Sequence, residues 1–213
     1  MKTQYHIKIT KEAVCKYFSN KAFREIIIAN IRQDRIRYQL NHDYIHFDGN
    51  AFDTGFEYIA QQEALLHDSI QSNNYSEARK AFGRMTHSWQ DFYSHSNYVR
   101  LWLEMFGPFT ANEIEHNNSE ILNHPDLSSG KNYGLIEIAA MIPGISKYIK
   151  PFFPPDSHAQ MNLDSPESGP EFVFAYWAAK KCTEDLLNQT FNRILSQPIS
   201  LNKLNNFRGQ PTH

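Results

Sequence analysis

Residues 86 to 98, THSWQDFYSHSNY, place His87, Asp91 and His95 four residues apart. At about 100° per residue the three side chains fall within roughly 80° of one another on a single helix face. Two imidazoles and a carboxylate on one rigid face suit a metal site, where donors must converge with little freedom left in them. The opposite stripe, Ala78, Phe82, Met85, Trp89 and Phe92, is apolar at helical spacing. The plain alternative is that the polar face is simply solvated.

Further donors occur at loops and helix ends, from which they can reach that face. His6 stands in YHIKITKEAV, Asp34 closes ANIRQD, and His46 and Asp48 share the tripeptide HFD. His158 and Asp164 lie in HAQMNLDSP, just ahead of the last helix, and Glu171 falls in that helix's first turn. Each has an ordinary reading as well. Asp before Ser-Pro is turn chemistry, Glu in a first helical turn is favoured by the dipole, and Asp48 could orient His46 without touching a metal. His67, His116, His124 and His213 fall in no such arrangement.

The elements that must position these residues read almost entirely as helix. Thr10 is placed to cap a short helix carrying Ala13, Val14, Tyr17 and Phe18; Ser19 is placed to cap a second, with Phe23, Ile26, Ile27, Asn30 and Ile31 inward. Residues 34 to 52 lose periodicity and form a connection with turn chemistry around Gly49. Helices are predicted at about 54–71 and 75–95, with shorter ones at 99–106 and 110–122. An apolar stretch at 133–153 is broken by Pro143 and Gly144, and the final helix covers about 170–195. The chain thus reads as a single all-α domain, a helical bundle over residues 1–196 with a metal cluster between helices, followed by a loosely held polar tail at 197–213.

The chain has 213 residues and a formal net charge of −2, so it lacks the basic footprint of a nucleic-acid surface. Its two cysteines, Cys15 and Cys182, match no metal spacing and no disulfide framework. No signal-peptide pattern and no run of apolar residues long enough to span a bilayer is visible, so the expectation is a cytoplasmic protein, or one exported without a signal. Trp89, Phe92, Trp102, Phe152, Phe153 and Trp177 are by default core, while PGISKYIKPFFPP at 143–155 has the composition of a loop that could contact a membrane interface.

Three segments resemble a known family. YHIKITKEAV is similar to the opening of the HET-C-like proteins, YSEARKAFGRMTHSWQDFYSHSNYV to their central signature, and HAQMNLDSP to their His-x-x-x-Asn-x-Asp-(Ser/Thr)-Pro loop. That group is similar to the zinc-dependent phospholipases C and, more remotely, to single-strand-specific zinc nucleases. The resemblance covers most of residues 5–100 and 156–190. It implies a cluster of two or three zinc ions. Asp34, His46, His87 and Asp91 would hold one ion, Asp91 would bridge to a second shared with His6, and His95 would begin a third. The relatives complete the third site with His-x-x-x-Glu on a helix. Here GPEFVFAYWA carries no His, leaving His158, Asp164 or Glu171 for that role.

The resemblance also implies an activity: a zinc-dependent phosphodiester hydrolase of phospholipase C type, acting on glycerophospholipid, with Asp34 orienting or deprotonating a metal-bound water. A donor set of imidazole and carboxylate without cysteine suits catalytic zinc. The alternatives are a zinc nuclease on single-stranded nucleic acid, and a non-catalytic protein that binds a membrane or partner and keeps the metal for stability. Headgroup preference and oligomeric state are not legible.

Overall fold

The computed structural model describes residues 1–35, 42–107, 110–131, 133, 152–197 and 200–210. In chain order the α-helices among them are α1 (Thr3–Val14), α2 (Asn20–Ile31), α3 (Asp43–His46), α4 (Phe52–Gln71), α5 (Tyr75–His95), α6 (Tyr98–Phe106), α7 (Ser119–Leu122), α8 (His158–Met161), α9 (Phe172–Leu195) and α10 (Ser200–Arg208). Short 3-10 turns join several of them, including Arg32–Asp34 and Asp48–Asn50. No strand occurs among the described residues, only isolated bridges such as Ser96 with Ser129. The architecture is all-α.

α5 is the axis around which α2, α4 and α9 pack, with α1 laid against α9 and α2. Its start is set by Asn74, whose side chain accepts from Glu77 N–H and so satisfies one of the free donors of the first turn. Both of its faces are covered. The apolar stripe Ala78, Phe82, Met85 and Phe92 is buried, and so are His87, Asp91 and His95 on the other side. The polar face is therefore not a solvated one.

Close approach of α2 and α5 depends on Gly83, where an added Cβ would lie 2.3 Å from the carbonyl oxygen of Ile26. This approach brings Asn30 and the end of α2 beside the polar face of α5. On the α4 side a ring cluster fixes the connection that carries HFD. Phe47 is fully buried and packs edge-on against Phe56 and Phe92, with ring centroids 5.1 and 5.2 Å away. Its backbone is left-handed, φ 59°, a conformation costing a β-carbon residue about 1–2 kcal/mol. Burial of the ring, worth about 2–3 kcal/mol, offsets that cost. The resulting corner turns His46 and Asp48 toward α5 from opposite sides of one buried anchor.

Several expectations need correction. α1 begins at Thr3 rather than after Thr10, so His6 lies inside the helix and Thr10 is buried in its interior. Ser19 does cap α2, accepting from Ala22 N–H at 3.3 Å. Within the expected tail, residues 200–208 form a packed helix: α10 is held by buried Leu204 and Phe207, and Arg79 donates to the carbonyls of Asn206 and Phe207 at its C-terminal end. Phe152 is 87% exposed rather than core, whereas Phe153 is buried. The rest of the expected membrane loop, 143–151, lies outside the described residues, as does most of the apolar stretch 133–153. Among the described residues no helix is long and apolar enough to cross a membrane.

Candidate metal centre

Asp91 stands at the middle of the site, fully buried, with its two oxygens facing different groups. Oδ2 lies 2.8 Å from His46 Nδ1 and 2.9 Å from His87 Nε2, and those two nitrogens are 3.3 Å apart. Oδ1 lies 3.1 Å from His6 Nε2 and 2.6 Å from the α-amino group of Met1. A carboxylate placed in this way can bridge.

Asp34 completes the first group. Its Oδ1 is 3.7 Å from His87 Nε2, while Oδ2 accepts from the Thr3 hydroxyl at 2.9 Å, which sets the plane of the carboxylate. Donor atoms of His6, Asp34, His87 and Asp91 all lie within 4.8 Å of one another. Zinc bonds of about 2.0–2.2 Å imply tetrahedral donor–donor edges of about 3.3–3.6 Å. The 3.3 Å between His46 Nδ1 and His87 Nε2 falls in that range, while the 2.8–3.1 Å from Asp91 to its imidazoles are hydrogen-bond lengths just below it.

A second group forms about one helical turn further along α5. Asp48 Oδ1 lies 2.8 Å from His158 Nδ1 and 3.1 Å from His95 Nδ1, and the His95 and His158 rings meet edge to face at 4.6 Å. These three residues also offer donor atoms within 4.8 Å of one another. Asp164 approaches His95 from the other ring nitrogen, Oδ1 to Nε2 at 3.2 Å, and pairs with the Met1 amino group at 2.9 Å. His158 reaches the group because its backbone docks on Gly130, where a Cβ would sit 2.5 Å from the His158 Cα. Gly130 N–H in turn donates to the His95 carbonyl at 3.1 Å. Glu171 joins neither group; it sits at the start of α9, its carbonyl accepting from Phe174 and Ala175 N–H.

The electrostatics arise from burying unlike charges together. Burial raises the Asp91 carboxyl, but the Met1 ammonium with His87, His6 and His95 outweighs it and holds the group well below the usual carboxylate range. Asp164 behaves likewise, burial being overcome by the Met1 ammonium and His95, and Asp48 is lowered by His158 and His95 against its burial. His87 is pushed down to about 4, chiefly by burial and against the pull of Asp91. His95 goes the other way, to about 10, because Asp48, Asp91 and Asp164 overcome its burial and the nearby ammonium. The Met1 amino group rises to about 11: burial lowers it, but Asp164 and Asp91 prevail. In the metal-free site the carboxylates thus stay charged and His87 neutral, as metal ligands must be, whereas His95 carries a proton that a cation would have to displace.

The donors fit a divalent cation. His6 Nε2 and His46 Nε2 are buried nitrogens without hydrogen-bond partners among the described residues. Of these, His6 Nε2 faces the oxygens of the first group. Nitrogen and carboxylate donors without sulfur suit zinc; in its absence the Met1 ammonium and His95 supply the positive charge beside the carboxylates.

These features define an all-α domain with a buried histidine–aspartate constellation, and comparison with known proteins gives its kinship. The family model described as the VWA7 N-terminal domain matches residues 3–122, more than half of the chain, and the chain belongs to that family. Over 90 residues it is 34% identical to von Willebrand factor A domain-containing protein 7 of Rattus norvegicus and equally to that of Mus musculus. These matches take in 39% of the chain and 10% of each relative, so the matched segment spans about a tenth of the curated relatives' length. No solved structure matches.

This kinship corrects the expected family and activity. The chain is placed with the VWA7 N-terminal domains and not with HET-C-like proteins, phospholipases C or zinc nucleases, so the expected hydrolase activity is withdrawn. Asp34 loses its expected role as catalytic base with it. The physical reason is that the resemblance rested on segments that carry imidazole and carboxylate donors. Such segments report that a cluster of donors forms, and a cluster does not specify a reaction.

The sequence-predicted donors His6, Asp34, His46, Asp48, His87, Asp91, His95 and His158 are all brought together by the fold. Asp164, predicted only as a substitute, belongs with them. Two contributors were not singled out in the sequence: Thr3 and Gln90. Gln90 could have been noticed as a polar residue directly preceding Asp91 on a helix that is buried all round.

Proposed function

We propose that this domain is a divalent-cation-binding module holding two zinc ions. His6, Asp34, His46, His87 and Asp91 would hold one, and Asp48, His95 and His158, with Asp164 beside them, the other. The observation that carries the reading is Asp91: a fully buried carboxylate whose two oxygens each face imidazole nitrogens at 2.8–3.1 Å. Replacing hydrogen-bonding protons by cations would satisfy this geometry and neutralise the surrounding carboxylates.

The role is cross-linking. The donors come from α1, the end of α2, the α3 corner, α5 and the α8 segment, so each ion would tie together elements distant in sequence. Binding to the folded state alone converts cation affinity directly into fold stability. The proposal is cation binding and not turnover. Elemental analysis of protein purified without chelator tests it: two equivalents of zinc are expected, and metal-free protein that also fails to take up added zinc would refute it.

A further inference from the structure

The amide of Gln90 is fully buried and committed on both ends. Its Nε2 lies 3.1 Å from both Thr10 Oγ1 and Thr183 Oγ1. Thr183 donates its hydroxyl proton to the Ala179 carbonyl at 2.8 Å, so toward Gln90 it can only accept. That decides which end of the amide faces the threonines. Oε1 must face the other way, where it lies 2.7 Å from His6 Nδ1 and 3.2 Å from Asn30 Nδ2. Asn30 is fixed by the same logic: Thr86 gives its proton to the Gly83 carbonyl at 2.9 Å and therefore accepts from Asn30 Nδ2 at 3.2 Å.

A carbonyl oxygen only accepts, so His6 must carry its hydrogen on Nδ1. In the neutral imidazole this leaves Nε2 as a bare lone pair. That nitrogen is 3.1 Å from Asp91 Oδ1 and makes no hydrogen bond. A buried bare lone pair beside a carboxylate oxygen, taken up by no hydrogen bond, is a donor that a cation coordinated by both atoms would satisfy.

We infer that Gln90 is the positioning residue of the first cation site: through its threonine-anchored amide it locks His6 as the Nδ1–H tautomer and presents Nε2 to a divalent cation. This rests on the cation-binding reading above. The amide acts from outside the ion, fixing both ring orientation and tautomer, and removing such a partner typically weakens metal affinity about 10–100-fold.

Two measurements on the full chain test it. In protein with ¹⁵N-labelled histidine, stripped with chelator and then loaded with zinc, the long-range ¹H–¹⁵N spectrum should show His6 protonated at Nδ1 in both states. In zinc titrations, Gln90→Leu should weaken the first site about 10–100-fold. Gln90→Glu, which keeps an acceptor for His6, should restore affinity to near wild type although it loses the threonine bonds. A purely structural role for Gln90 would disturb stability in both variants and leave the tautomer and the affinity of folded protein unchanged. His6 protonated at Nε2, or Gln90→Leu with wild-type affinity, would overturn the inference while leaving zinc binding intact. Wild-type protein that binds no zinc would instead remove the reading beneath it. Should Gln90→Leu fail to fold, the wild-type tautomer and Gln90→Glu still decide.

Discussion

His46 Nδ1 and Asp91 Oδ2 lie 2.8 Å apart, joined across 45 residues by the left-handed turn at Phe47. The turn is held by the ring cluster on α4 and α5, so the position of a donor is set by apolar packing one residue away. This relationship makes the constellation sensitive to changes that touch no polar atom.

Asp91→Asn should abolish zinc binding at the first site, because it removes the charge shared by His6, His46 and His87. His158→Ala should lose only the second ion, lowering the stoichiometry from about two to about one. Elemental analysis of each variant and of the pair combined tests this: about one equivalent should remain in each single variant and none in the double variant, whereas loss of both ions in either single variant would mean one joint site.

Zinc in excess should raise thermal stability. At a free concentration about 100 times Kd, linkage adds about 2.7 kcal/mol per site, or roughly 5–10 °C for a chain of this size. Scanning fluorimetry with zinc and with chelator measures it. No difference would contradict binding to the folded state.

The metal-free domain should be most stable near pH 6.5. His87 is lowered to about 4 in the fold, so between about 6.5 and 4 the unfolded chain takes up a proton that the folded chain refuses, and stability falls with pH. Asp91 and Asp164, held below the usual carboxylate range, remove further stability as pH drops past their unfolded values. On the alkaline side, His95 is raised to about 10; its contribution is fully present below about 6.5 and is lost as pH climbs through 10. Urea unfolding from pH 4 to 10 in chelator would show this dome, and a profile flat across that range would contradict it.

Gly83→Ala should destabilise by about 1–3 kcal/mol, since the new methyl meets the Ile26 carbonyl and must push α2 from α5. The same shift moves Asn30 and Asp34 away from α5, so zinc affinity should fall with stability. Unfolding and zinc titration on one preparation check both.

The helix at the centre was legible in the sequence because two periodic signals coincide in it: an apolar stripe from Ala78 to Phe92 and the donors His87, Asp91 and His95. The start of α1 was not, because Lys2 offers no capping side chain and Thr10, which has the look of a cap, spends its hydroxyl on Gln90, 80 residues away. α10 escaped notice for want of pattern: its buried apolar residues are Leu204 and Phe207, three residues apart, and the rest of its anchoring is polar, such as the bonds from Arg79. Donor identity was readable because chemistry restricts it to few residue types. Kinship and activity were not, since the same types at the same spacing serve unrelated ends.

The most direct test is anomalous diffraction at the zinc absorption edge from crystals of protein purified without chelator. Two peaks are expected, one among His6, Asp34, His46, His87 and Asp91, the other among Asp48, His95 and His158. Crystals soaked in zinc that show no anomalous density at either position would contradict the account.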